Sequence, residues 1–227
     1  MIITIDGPVA SGKSTVAKML AKHLHFYYIN SGFLYRSFAY ILHYKCGIDL
    51  NGLAAYNFEA ELPFSLDQYV YEYSDYRVKI WFEGEDITRF LIYPNIDAAA
   101  SIIAKNAFIR DHIVNFQRHL ASLHRNVIAE GRDCGTFVFD KAQFKFFLTA
   151  SLEARAERWA KSKRRTGNYF TVEEAMPFIQ QRDERDMQRP IAPLRRAPDA
   201  IVIDNTNIDL NETLQLMLDN MKPGKVS

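Results

Sequence analysis

Met1-Ile2-Ile3-Thr4-Ile5-Asp6-Gly7-Pro8-Val9-Ala10-Ser11-Gly12-Lys13-Ser14-Thr15, residues 1–15, runs from a short apolar stretch straight into a loop with a glycine at each end. Residues 7–14 fit the pattern GxxxxGK[ST], and Val16, Ala17, Leu20, Ala21 and Leu24 then recur at helical spacing. Strand, glycine-bounded loop and helix in that order form a phosphate cradle. Glycines let backbone N–H groups curl around phosphate oxygens, and the helix N-terminus adds a favourable dipole. Gly7, Pro8, Val9, Ala10, Ser11, Gly12, Lys13, Ser14 and Thr15 are thus the expected contacts to a nucleoside triphosphate. Lys13 is expected to reach the β and γ phosphates, and the Ser14 hydroxyl to serve as the ligand for Mg²⁺. The loop alone does not say whether a phosphate is transferred, or to what.

Working outward, four more short runs rich in β-branched and aromatic residues alternate with helical segments: Phe26–Ile29, Asn126–Ala129, Phe144–Leu148 and Ala200–Ile203. The alternation predicts an α/β fold of the P-loop NTPase type, with a parallel five-stranded sheet wrapped by helices. Polar residues follow four of the five strands at once: Asp6-Gly7, Asn30-Ser31-Gly32, Glu130-Gly131 and Asp204-Asn205. Open parallel sheets bind ligands beyond their strand carboxyl ends, so these positions are site candidates. From about Glu61 to Arg89 the period changes to two, with a turn near Ser74-Asp75, which predicts a small antiparallel β insertion. A long helical stretch follows from about Asp97 to His124, loosened near Asn106. The tail "KPGKVS" reads as frayed.

The chain of 227 residues carries a formal net charge of +1, which argues against a general nucleic-acid-coating surface while leaving room for a local basic cleft. No apolar run has the length of a membrane span, and the sequence opens directly on a strand, so no membrane association, no leader and a cytoplasmic location are expected. Cys46 and Cys134 match no CxxC or zinc spacing and are expected to be free thiols, at least one of them buried. The histidines form no paired-ligand spacing. Tyr69, Tyr71, Tyr73 and Tyr76 are expected to pack the insertion rather than to stack on bases.

Phosphoryl transfer asks for charge clamping more than covalent chemistry, so a kinase should carry arginines beyond those its donor nucleotide needs. They occur in three groups: Arg36 after "NSGFLY", Arg132 in "EGRDCGT", and a dense set from Arg155 to Arg189. Arg182, Asp186 and Arg189 stand at spacings of four and three, one face of a helix, a pattern that a solvated salt-bridged face also produces. "KSKRR", Lys161–Arg165, reads as a solvated run or a weak nucleic-acid patch. The segment "DNTNID" is not the NKxD of guanine-selective switches, and Asn126–Glu130 ends in a single acid, Glu130, able to hold Mg²⁺ through water.

Together "ITIDGPVASGKST", "NSGFLYR", "GEDIT", "AEGRDCGTFVF" and "RDERDMQRPIAPLRRAPDAIVIDNT" resemble the bacterial-type cytidylate kinases, P-loop nucleoside monophosphate kinases that phosphorylate CMP and dCMP. The resemblance covers nearly the whole chain. It implies one P-loop kinase unit over 1–227: a core of 1–35, 125–154 and 190–227, a monophosphate-binding part over 36–124 enlarged by the insertion at about 61–89, and a lid with its flanking helix over 155–189. It also implies roles. Arg36, Arg132 and Arg189 look like monophosphate-site arginines; Ser31, Ser101, Arg110 and Asp133 look like contacts to the cytosine; Arg182 and Asp186 look like neighbours of the acceptor ribose and the transferred phosphate; Arg158 looks placed against the donor adenine. Lys13, Arg132, Arg182 and Arg189 are the implied catalytic set, with ATP and Mg²⁺ as the companions of CMP and dCMP and a monomer as the expected state.

The chain departs from the family pattern at three places. Asn30 stands where an acid is usual, Leu91-Ile92 where an arginine is common, and Asp140 where proline is frequent. A kinase for another monophosphate such as UMP or AMP therefore stays open. So do a non-catalytic ATP-binding regulatory or RNA-binding protein and, more weakly, a small-metabolite kinase.

Overall fold

Strand β1 (Ile2–Asp6) is the centre of the main sheet, and Ile3 and Ile5 are wholly buried. It pairs in parallel with β6 (Val127–Gly131) on one side and β7 (Phe144–Thr149) on the other, with Ile3 opposite both Ile128 and Phe144. Adding β8 (Ile201–Asp204) and β2 (Tyr27–Asn30) gives five strands in the order β2-β6-β1-β7-β8. The expected sheet is thus present, each strand within a residue or two of its apolar run. Crossing from β6 to β7 passes over β1, a reversal of strand order that opens a crevice at the carboxyl end of β1. The loop Gly7–Gly12 leaves the sheet at that end.

The computed structural model describes residues 1–50, 52–53, 61–164 and 167–222. Arg165 of the basic run and residues 223–227 of the tail lie outside the described residues. The chain forms two compact units, Met1–Phe26 with Asn126–Ser227, and Tyr27–Arg125.

The first unit carries α1 (Lys13–Leu24), α5 (Leu152–Arg164), α6 (Val172–Gln188) and α7 (Leu210–Asn220). Helix α1 buries Val16, Ala17, Leu20 and Ala21, the stripe its spacing predicts. Helix α6 starts on a capping box of Thr171 and Glu174, and α7 on one of Asp209 and Glu212. Pro190 stops α6. The residue before a proline is pushed out of helical geometry, and Arg189 has φ −61° and ψ 141°. The single helical face expected for Arg182, Asp186 and Arg189 therefore ends one residue early: Arg189 lies just past the helix and leaves it on extended backbone. Helices α5 and α6 share a small apolar core of Ala156, Ala160, Ala175 and Ile179, and Val9 and Ala10 of the loop pack against it.

In the second unit α2 (Ser31–Tyr40) runs on into a π-helical turn, Ile41–Lys45. The insertion is an antiparallel sheet of β3 (Tyr69–Ser74), β4 (Arg77–Phe82) and β5 (Glu85–Asp86). Asp75 and Tyr76, at φ 49° and 59°, make the two-residue turn between β3 and β4, with both residues left-handed as a twist-matched hairpin requires. Tyr69 and Tyr71 are buried and their hydroxyls bond to Ser37 and Tyr28, so these two pack the insertion as expected, whereas Tyr76 is exposed because it sits in the turn itself. The long helical stretch is broken into α3 (Pro94–Ile103) and α4 (Ala107–Ser122), because Asn106 caps α4, its Oδ1 accepting from the Ile109 N–H at 3.1 Å. Among the described residues no helix is long and apolar enough to cross a membrane. Cys134 is buried, Cys46 is partly exposed, and both are free thiols.

Candidate active site

Gly7 is a steric necessity: a Cβ there would lie 2.1 Å from the Leu148 carbonyl oxygen of β7. Gly12, at φ 87°, turns the chain into α1, and the Thr15 and Val16 N–H groups donate to its carbonyl. Lys13 is buried, and its Nζ donates to the Pro8 carbonyl at 2.9 Å, so the side chain bends back across the loop it follows. Burial, reinforced by the nearby Arg132 cation, pulls its ammonium down to about 7. The Ser14 hydroxyl donates to Glu130 Oε1 at 2.8 Å, joining the loop to the last polar residue of β6.

The loop's remaining peptides are held from a distance. The Val9 N–H donates to Asp183 Oδ1 at 2.9 Å, and the Val9 carbonyl accepts from Arg155 Nη1 at 3.1 Å. Arg155 and Asp183 form an ion pair with each other. On the other side Asn205 Nδ2 donates to the Ser11 carbonyl at 3.0 Å, and Arg158 donates to Asn205 Oδ1 at 2.8 Å and to the Asn205 carbonyl at 2.7 Å. Arg158, expected against the donor base, thus also fixes the turn after β8.

A second cluster gathers at the exit of β6. Arg132 Nε donates to Asp186 Oδ2 at 2.8 Å, Arg182 Nε lies 3.6 Å from the same oxygen, and Arg189 Nη2 lies 3.0 Å from Asp133 Oδ1. Asp133, Asp186 and Arg189 are buried, so these charges need their partners. Burial works to raise the Asp186 pKa, yet Arg132 and Arg182 hold it below the ordinary carboxylate value. Asp6 carries the β6 exit: its carboxylate accepts from the backbone N–H groups of Cys134 at 2.9 Å and Gly135 at 2.7 Å. Burial nevertheless pushes Asp6 up to about 6. Six expected residues, Lys13, Arg132, Asp133, Arg182, Asp186 and Arg189, therefore lie in the first unit, with Arg132 and Arg182 on Asp186 and Arg189 on Asp133.

The other candidates belong to the second unit. Ser31 opens α2, and Asn30 caps that helix by accepting from the Phe33 N–H at 2.9 Å. The amide also donates, Nδ2 to the Tyr28 hydroxyl at 3.0 Å, which an ionised acid in its place could not do. Arg36 pairs with Asp97 of α3 at 2.7 Å. Ser101 lies one turn beyond Asp97 on the same face. It is buried, and its hydroxyl has no hydrogen-bond partner among the described residues. Arg110 on α4 is fully buried, donates to the Ala104 carbonyl at 3.3 Å and lies over the Tyr35 ring. Of the pair standing where an arginine is common, Leu91 is a core residue and Ile92 is exposed.

Sequence reasoning passed over Asp183, counted Arg155 only within a dense arginine set, and gave Asp6 and Asn205 no role beyond their places after strands. Asp183 stands inside the "RDERD" run already singled out, three residues before Asp186, and that spacing was the available signal. Among the described residues no group of three or more His, Cys, Asp or Glu side chains could hold a metal by themselves. The donor set of Ser14 and Glu130 instead suits a hard cation whose remaining ligands are phosphate and water.

Comparison with known proteins agrees with this architecture. Residues 3–223 match the family described as Cytidylate kinase. A cytidylate kinase of Thermotoga neapolitana is 43% identical over 216 residues, covering 95% of this chain and 94% of that protein. One of Acinetobacter baylyi is 38% identical over 218 residues, covering 96% and 94%. A crystal structure of an uncharacterized protein from Eubacterium ventriosum superposes with a TM-score of 0.55 at 13% identity, covering 97% of this chain and 98% of that one, a likeness of fold alone. With a relative this similar along almost its whole length, and with the phosphate loop and arginine cluster built as described, the chain belongs to the cytidylate kinase family.

Proposed function

We propose that this chain transfers the γ-phosphoryl group of ATP to the 5′-phosphate of CMP or dCMP, giving ADP and CDP or dCDP. The observation that carries the reading is the convergence of Arg132, Arg182 and Arg189 on two buried carboxylates beside the Lys13 loop. That is more positive charge than a triphosphate alone requires. An acceptor phosphate oxygen is already anionic, so no general base is needed; alignment and charge neutralisation carry the rate. A phosphate brought to these arginines exchanges one anionic partner for another, which keeps them oriented beforehand.

Lys13 binds the β and γ phosphates, which asks it to break its bond to the Pro8 carbonyl. Backbone N–H groups of Ala10 to Ser14 orient the same phosphates. The oxygens of Ser14 and Glu130 fit Mg²⁺, the first as a direct ligand and the second through water; bound there, the ion neutralises charge on the donor phosphates. Ser31, Ser101, Arg110 and Asp133 read the cytosine. The Ser101 hydroxyl supports this, being a buried group in want of a partner. Arg36 takes the acceptor phosphate, Asp186 the ribose, and Arg158 lies against the adenine. The core, monophosphate and lid divisions expected from sequence go with this reading, with the lid closing to exclude water.

The test is ADP release from MgATP with CMP, dCMP, UMP, AMP and GMP, each beside a control without acceptor. Turnover with CMP and dCMP is expected. Turnover dominated by another base overturns the cytosine assignment, and silence on all five overturns the kinase reading in favour of a binding protein. A salt-sensitive shift of labelled RNA is the companion observation for that rival.

A further inference from the structure

We infer that Asp183, with Arg155, is a positioning residue for the donor triphosphate: the two side chains clamp the Val9 peptide and thereby tie the shape of the phosphate loop to helices α5 and α6. The inference rests on the proposal that the loop binds ATP.

Both polar groups of one loop residue are taken by one ion pair. Asp183 accepts from the Val9 N–H at 2.9 Å, Arg155 donates to the Val9 carbonyl at 3.1 Å, and the two side chains bond each other. Arg155 Nε also donates to the Ala150 carbonyl at 3.2 Å, just after β7. The arginine therefore spans the sheet end, the loop and α6. Asp183 is 5% exposed. A carboxylate this close to a triphosphate loop is electrostatically adverse unless neutralised, and Arg155 neutralises it. The cost is borne for geometry: the pair takes both backbone polar groups of Val9. The residue after Val9, Ala10, has φ 58°, a left-handed conformation that a non-glycine residue holds only when its neighbours are fixed. Val9 and Ala10 also pack their side chains on the α5–α6 core, so apolar and polar contacts act at the same two residues.

The clamp shares no hydrogen bond with the arginine cluster at Asp186 among the described residues, although the Asp183 charge is felt at Arg132 and Lys13. The two acids sit three residues apart on α6, yet Asp183 serves the loop while Asp186 serves Arg132 and Arg182. Loss of the clamp should therefore weaken donor binding selectively.

The test is steady-state kinetics of Asp183→Asn and Arg155→Lys with each substrate varied in turn, and calorimetric titration of the wild type and both variants with the magnesium complex of a non-hydrolysable ATP analogue. Asp183→Asn is expected to raise KM for ATP and the analogue Kd about tenfold while KM for CMP stays within about twofold. Arg155→Lys should raise KM for ATP about threefold, and the double variant should fall well short of the product of the singles, since both act through one residue, Val9. Equal rises in both KM values, or an unchanged KM for ATP, overturn the inference. If Asp183→Asn does not fold, the same criteria applied to Arg155→Lys decide. A wild type that fails to bind the analogue at all instead sinks the ATP reading of the loop, so the two failures are separable.

Discussion

At the residue scale the Lys13 ammonium is set by a conflict between place and charge. Burial and the Arg132 cation bring it to about 7, far below a free lysine at 10.5. Between those values the unfolded chain holds a proton that the folded chain has released, so stability contributed here rises with pH from about 7 towards 10.5. A triphosphate reverses the balance by restoring the charged form. At pH 8 binding of the analogue should therefore take up close to one proton, read by calorimetry in buffers of different ionisation enthalpy. Lys13→Ala should abolish that uptake and lower turnover by roughly three orders of magnitude with the circular dichroism spectrum unchanged; near-normal turnover would remove the loop from the mechanism. Arg189→Ala should raise KM for CMP about tenfold or more and leave KM for ATP within about twofold. An effect on ATP alone would reassign the residue.

At the element scale, the junction between β1 and the loop tolerates only glycine, and the α5–α6 pair is built round four buried side chains with partly buried residues such as Leu152, Trp159 and Met176 packed on them. Gly7→Ala drives a methyl into the Leu148 carbonyl and should cost about 3 kcal/mol or more, measured by urea denaturation. Ile179→Ala removes the largest of the four buried side chains and should lower the protection of α5 and α6 amides by about 2–4 kcal/mol in hydrogen exchange while β1 and β6 keep theirs. Loss spread evenly over the sheet would show that this pair does not form a separable cooperative element. The end of α6 carries the same lesson in another form. Pro190 forces Arg189 out of helical geometry, and the chain then folds back so that the Leu194 N–H reaches the Asp186 carbonyl at 2.8 Å.

At the scale of the whole molecule, near-neutral charge suits small anionic substrates gathered by a few local arginines rather than a long polyanion. Light scattering should return 26.2 kDa, the mass of one chain; twice that value would contradict a monomer. What sequence alone determined is whatever is contiguous or periodic: the loop at residues 7–14, the five apolar strands, the period-two insertion and the break at Asn106. Each is a local choice of backbone conformation that neighbouring residues impose. The clamps on the loop were out of reach, because they join residues 174 and 194 positions apart, Val9 to Asp183 and Ser11 to Asn205, through single hydrogen bonds that leave no periodic trace. Likewise Asp6 reaches the β6 exit across 128 residues, an acid whose partners are backbone N–H groups and so have no side-chain signature. Tertiary structure alone decided which of two acids three residues apart on one helix serves the phosphate loop and which the arginines, since only packing says where a helix face points.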